Sequence, residues 1–112
     1  MFVVGKRTLE RDSHGFLLSP GDWDEDVAAA IAAEESIRLG PDHWAVLTFM
    51  RDYLEEHGIA VDARHVFAFL GKRAGVGKRA ARELFFDLFP YGYVKQACRI
   101  AGMKQPRAWS TG

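Results

Sequence analysis

Apolar positions along the chain follow two regimes. Up to residue 18 they come in short runs broken by turn formers. Phe2-Val3-Val4, Lys6-Arg7-Thr8-Leu9 and Gly15-Phe16-Leu17-Leu18 read as short strands, with Gly5 and Ser13-His14-Gly15 in the turns. This predicts a small β-hairpin over 1–18, closed by Ser19-Pro20-Gly21-Asp22. Beyond it strand signals are weak and helical spacing takes over. A first helix is predicted from about Asp24 to Arg38: Val27, Ile31 and Glu34/Glu35 lie a turn apart, and Asp24, Glu25 and Asp26 oppose the macrodipole. Gly40 stops it. Pro41 suits the first turn of a second helix, which runs to about His57 with Gly58 as its stop. Val46, Phe49, Met50, Tyr53 and Leu54 recur along it as a core face. Asp62 can cap a third helix bearing Val66, Phe67, Phe69 and Leu70, and Gly75-Val76-Gly77 breaks it. A fourth carries Ala81, Leu84, Phe85 and Leu88 on one face and ends at Pro90 and Gly92. A last helix covers about Tyr93 to Ala101. The expected fold is mainly α: a small N-terminal β-hairpin, then about five short helices forming a bundle over 24–101. Gly102 and Pro106 leave a basic arm at 103–112, expected to be the most mobile part.

Composition narrows this further. A chain of 112 residues, nearly half of them apolar, suits one domain with a real core and argues against disorder. The single cysteine excludes an internal disulfide framework and a cysteine-based zinc site, and it suits a reducing cytoplasm. No stretch is long enough to span a membrane, and the N-terminus lacks a signal-peptide layout. The net charge is zero but lopsided. Residues 1–62 hold 13 acidic and 5 basic side chains, and residues 63–112 hold 2 acidic and 10 basic. Either one end meets an acidic partner, or the halves neutralise each other within the fold or across a dimer.

Cys98 carries the most chemistry. Val94, Ala97, Cys98 and Ala101 form a stripe at i, i+3, i+4 and i+7, which reads first as a small buried hydrophobe. The functional alternative is a sulfur-binding thiol, with Lys95 one turn before it and Arg99 directly after it favouring the thiolate. Gly75-Val76-Gly77-Lys78-Arg79 is only a fragment of a phosphate loop. The spacing is short, Arg79 replaces the Ser or Thr, and a helix precedes the glycines. His14, His43, His57 and His65 lack metal-ligand spacing, Ser13 and Ser110 lack triad partners, and no cofactor is expected. Trp23 and Trp44 read as core anchors. Trp109, outside any periodic segment, should dock on the domain or contact a partner. Lys72, Arg73, Lys78, Arg79 and Arg82 surround the third interhelix turn. They read as a charged surface or, less directly, as a DNA-binding helix-turn-helix. Lys78, Arg79, Arg82, Lys95, Arg107 and Trp109 are the candidate partner-binding residues.

Three ordered motifs carry a resemblance over nearly the whole chain. They are Gly15-Phe16-Leu17 followed by Trp23; Gly40-Pro41-Asp42-His43-Trp44 with Phe49, Arg51-Asp52 and Tyr53; and Leu88-Phe89-Pro90-x-Gly92, then Lys95-Gln96-Ala97-Cys98-x-Ile100-Ala101-Gly102 and Pro106. Together they resemble the DsrC/TusE family, which includes the gamma subunit of dissimilatory sulfite reductase and the TusE protein of tRNA thiolation. The resemblance implies a mostly helical fold with an N-terminal hairpin and a flexible arm, and cytoplasmic sulfur transfer. Members take up sulfur as a persulfide on a cysteine near the end of the arm and pass it to a protein partner. In the sulfite-reductase members an upstream cysteine can pair with the first, and Cys98 matches that upstream position. The terminal-cysteine position falls at Trp109, and Tyr93 stands where members often have Pro. The resemblance therefore implies an accessory or regulatory protein of sulfur metabolism. The alternatives are a carrier using Cys98 alone and a nucleic-acid-binding regulator.

Overall fold

The computed structural model describes residues 2–104. Strand β1 (Phe2–Val4) pairs antiparallel with β2 (Arg7–Leu9), Phe2 opposite Leu9 and Val4 opposite Arg7. Gly5, at φ 60°, makes the tight turn between them. The alternation puts Phe2, Val4 and Leu9 inside and leaves Val3 exposed. The third predicted strand does not form: an isolated bridge between Arg11 and Leu17 is all that pairs there. The Asp12 carboxylate accepts from the backbone N–H of His14 and of Phe16, at 2.8 and 2.9 Å. That local loop competes with a strand ladder for the same donors.

Helix α1 spans Glu25–Glu34 and is capped by Asp24, whose side chain accepts from Val27 N–H at 3.0 Å. This bond, with help from the adjacent Arg7, holds the Asp24 carboxyl below its usual range against the opposing effect of desolvation. The helix stops a turn short of the predicted Arg38. Ser36 N–H bonds to Ala33 O and Ile37 N–H to Ala32 O, a Schellman closure with Ser36 at φ 60° in the place glycine usually takes. Gly40, expected as the stop, caps the next helix instead. Helix α2 is Pro41–His57, and Gly58 ends it at φ 73°. Helix α3 is Ala63–Ala74, capped by Asp62 through Arg64 N–H and ended by Gly75. Helix α4 is Lys78–Leu88.

Val27, Ile31, Val46, Leu47, Met50, Val66, Leu70 and Phe85 fill the core between these helices. Phe49 and Tyr53, predicted on that face, pack at its margin, and Phe49 stacks on Phe69 with ring centres 4.5 Å apart. Helices α3 and α4 cross closely at Gly71, where an added Cβ would sit 3.3 Å from Ala81 Cβ and 3.1 Å from Val76 O. His43 ties the start of α2 to the end of α4. Its Nδ1 accepts from Gly40 N–H at 3.1 Å, which leaves Nε2–H to donate to Leu88 O at 2.9 Å.

The predicted last helix is a composite. Tyr93–Ala97 form a π-helical turn, and α5 (Cys98–Ile100) continues from it. Gly92, at φ 91°, starts the turn, and Ala97 N–H reaches back to Gly92 O at 3.1 Å.

Candidate functional site

The π-turn sets the surroundings of Cys98. Cys98 N–H bonds to Tyr93 O, five residues back, so the two residues share one face. Both are fully buried. The Tyr93 hydroxyl donates to Val61 O, which anchors the ring to the segment before α3, and the same side chain neighbours the Cys98 sulfur. Burial pushes the Cys98 thiol up to about 12, and the neighbouring Tyr93 side chain offsets this only in part. Burial likewise raises the Tyr93 phenol, and the neighbouring thiol adds to that shift. Neither expected cation activates the sulfur. Lys95 is exposed, and Arg99 turns to Glu35, Nη1 to Oε2 at 3.2 Å.

A polar network backs this helix. Gln96 is the one buried polar residue among those described. Its Oε1 accepts from Tyr91 N–H at 3.0 Å, and its Nε2 donates to Glu35 Oε1 at 2.7 Å. Glu35 thus receives Gln96 on one oxygen and Arg99 on the other, which welds the α1 exit to the Cys98 helix. The Arg99 guanidinium also lies over the Phe16 ring at 5.2 Å.

The root of the arm is pinned as far as Met103. Gly102 N–H bonds to Arg99 O and Met103 N–H to Cys98 O, a second Schellman closure, here with glycine at φ 71°. Trp23 Nε1–H donates to Ile100 O at 2.8 Å. Arg51 donates to Ala101 O at 3.2 Å and to Pro20 O at 3.0 Å, with its guanidinium 4.6 Å over the Trp23 ring. Trp23 is thus an anchor for the C-terminal root as well as for the core. Met103, expected to open the mobile arm, is instead buried and bonded, while Arg107, Trp109 and the rest of the expected arm beyond Lys104 lie outside the described residues.

Of the candidate partner-binding residues, Lys78, Arg79 and Arg82 come together. With Arg64, Phe67 and Ala68 they line a groove of about 550 Å³ between α3 and α4. Lys95 is not part of it. Tyr93, Gln96, Glu35 and Arg51 were not singled out for these contacts. Apart from Tyr91, their hydrogen-bond partners lie 31 to 64 residues away in sequence, and no local pattern encodes such contacts. Among the described residues no group of His, Cys, Asp or Glu could hold a metal, and no helix is long and apolar enough to cross a membrane.

The family model described as "DsrC like protein" matches residues 3–108. The chain is 35% identical to the sulfurtransferase TusE of Escherichia coli K12 and 39% identical to a TusE homolog of Haemophilus influenzae. Each match covers 95% of this chain and 96% of the relative. Its fold is similar to that of the oxidized gamma-subunit of dissimilatory sulfite reductase (DsrC) from Archaeoglobus fulgidus, with a TM-score of 0.85, 32% identity, and coverage of 96% of this chain and 97% of that one. It is also similar to DsrC from Allochromatium vinosum, with a TM-score of 0.81, 34% identity, and coverage of 97% and 96%. Fold, motifs and these matches together show that the chain belongs to the DsrC family of sulfur-relay proteins.

Proposed function

We propose that this protein is an accessory or regulatory member of the sulfur relay, acting in the cytoplasm, which keeps the fold and docking surface of its relatives without carrying sulfur. One observation carries the reading: the only cysteine, Cys98, is fully buried beneath Tyr93 with its thiol pushed to about 12. A persulfide carrier needs an accessible sulfur with thiolate character, since the thiolate attacks the donor. By the family resemblance, the carrier position at the end of the arm is Trp109. An arm of this kind still fits a partner's site while delivering nothing, which makes the protein a competitor of an active relative. The gamma-subunit name of the Archaeoglobus relative and the match within dissimilatory sulfite reductase I support a protein partner.

The test is intact mass after the reduced, native protein is incubated with a persulfide donor. The wild-type chain stays unmodified, and Trp109→Cys gains one sulfur atom. Sulfur found on Cys98 in the wild-type chain overturns the reading in favour of a carrier using that thiol.

A further inference from the structure

The groove between α3 and α4 combines two features. Its floor is apolar, made by Ala68 and the edge of Phe67. Its rim is cationic: Arg64, Lys78, Arg79 and Arg82 are all exposed. Four arginines elsewhere are matched with acids: Arg7 with Asp24, Arg11 with Glu34, Arg73 with Asp42 and Arg99 with Glu35. At the groove, Lys78 and Arg79 have no ion pair or hydrogen bond among the described residues, although Glu83 and Asp87 share their helix. Arg64 pairs only with Asp62, at 3.3 Å and in solvent. Part of the excess positive charge of the C-terminal half therefore surfaces here.

The placement works against α4 itself. Lys78 and Arg79 occupy its first turn, with no acid there and no side chain capping Gly77, so two cations face the positive end of the helix dipole. Helix α1 shows the favourable arrangement, with Asp24, Glu25 and Asp26 at its start. A local arrangement that costs helix stability points to selection for something else.

We propose that this groove docks an acidic amphipathic segment of a protein partner, with an apolar side chain over Ala68 and Phe67 and carboxylates on the rim. The surface uses neither Cys98 nor the arm, so it stands apart from the reading above. The details favour peptide over nucleic acid. Phe67 is only 8% exposed, and Arg82 lies 5.5 Å over its ring, so no aromatic face is open for base stacking. An apolar floor within a charged rim is the arrangement by which a groove recognises an amphipathic helix.

The experiment measures anisotropy of a fluorescein-labelled synthetic helical peptide of glutamates with leucines along one face. The comparison probes are the same peptide with each Leu replaced by Ser, and a duplex DNA and an RNA hairpin carrying the same dye. The Leu peptide binds the full chain in low salt and weakens as salt rises. Lys78→Glu with Arg79→Glu weakens it at least about tenfold, and the Ser peptide binds correspondingly less. Glutamates in the first turn of α4 suit its dipole, so the double variant stays folded, and a melting curve checks this. Undiminished binding by the reversed variant, equal binding of the Leu and Ser peptides, or tighter binding of either nucleic acid each overturns the proposal.

Discussion

Cys98 and Tyr93 are joined by the π-turn backbone bond and by contact between their side chains, so their titrations speak for the same packed site. The folded thiol is raised from about 9 to about 12 by burial, and the phenol is raised above 10.0 for the same reason. The sign follows directly. Between the unfolded and folded values the unfolded chain releases protons that the folded chain keeps, so stability falls as pH rises. Stability from these two groups is complete below about pH 9. The thiol's share declines from there toward about pH 12 and the phenol's share falls once pH rises past about 10, each by at most about 1.4 kcal/mol per pH unit. Urea unfolding followed between pH 7 and 11 should show this decline, shallower in Cys98→Ala. A pH-independent stability over that range would contradict the burial of both groups. Tyr93→Ala should also expose the sulfur and raise its rate of native-state alkylation. The apolar stripe of Val94, Ala97, Cys98 and Ala101 made a buried sulfur legible from spacing alone. The lock on it was not legible, because the Tyr93 hydroxyl is satisfied by a carbonyl at Val61 that sequence periodicity does not bring near.

Helices α2 and α3 end where their residues say they should, because the chemistry of each end is local. Pro41 opens α2, Asp62 caps α3, and Gly58 and Gly75 close them in left-handed geometry. The same rules missed the end of α1 because Ser36 performs the glycine role, and missed the π-turn because i→i+5 bonding leaves no spacing signature distinct from a short helix. The α1 exit matters to the site, since the stop at Glu34 frees Glu35 to hold Gln96 and Arg99. Serine at φ 60° carries a left-handed penalty that glycine does not. Ser36→Gly should therefore stabilise the protein by about 1 kcal/mol, less the entropy that glycine adds to the unfolded chain. Ser36→Val should destabilise it by a similar amount or more. Urea midpoints at constant m-value give both signs, and a destabilising Ser36→Gly would show that the serine side chain supplies something its backbone conformation does not.

The charge asymmetry between the chain's halves resolves in two ways across the molecule. Arg99 with Glu35 and Arg73 with Asp42 join the basic half to the acidic half, while Lys78 and Arg79 at the α3–α4 groove make no ion pair among the described residues. The halves are also stitched at the arm root, where the Trp23 indole, the Arg51 guanidinium and the Ile100–Gly102 backbone meet. That site is assembled from the segment before α1, from α2 and from the C-terminus. Each of the three sequence motifs contributes a piece, but their convergence is a property of the fold. The tightest point is Gly102. A Cβ there would overlap the Trp23 ring and lie 2.7 Å from Trp23 Cβ, at a φ of 71° that side chains rarely adopt. Gly102→Ala must therefore displace the indole, break its bond to Ile100 O, or unwind the Schellman closure that holds Met103. Overpacking and left-handed strain together should cost about 2–4 kcal/mol. In a Trp44→Phe, Trp109→Phe background, the Trp23 emission should shift to the red as its ring leaves the guanidinium and the helix end. Arg51→Met removes the contacts to the Ala101, Gly102 and Pro20 carbonyls while keeping the bulk over the ring, so it separates the two parts of the anchor. It should lower stability with a smaller change in emission. If Gly102→Ala instead melts with the wild-type midpoint and unchanged emission, Trp23 does not hold the arm root, and the direction in which the arm leaves the domain is set by Met103 and the helix end alone.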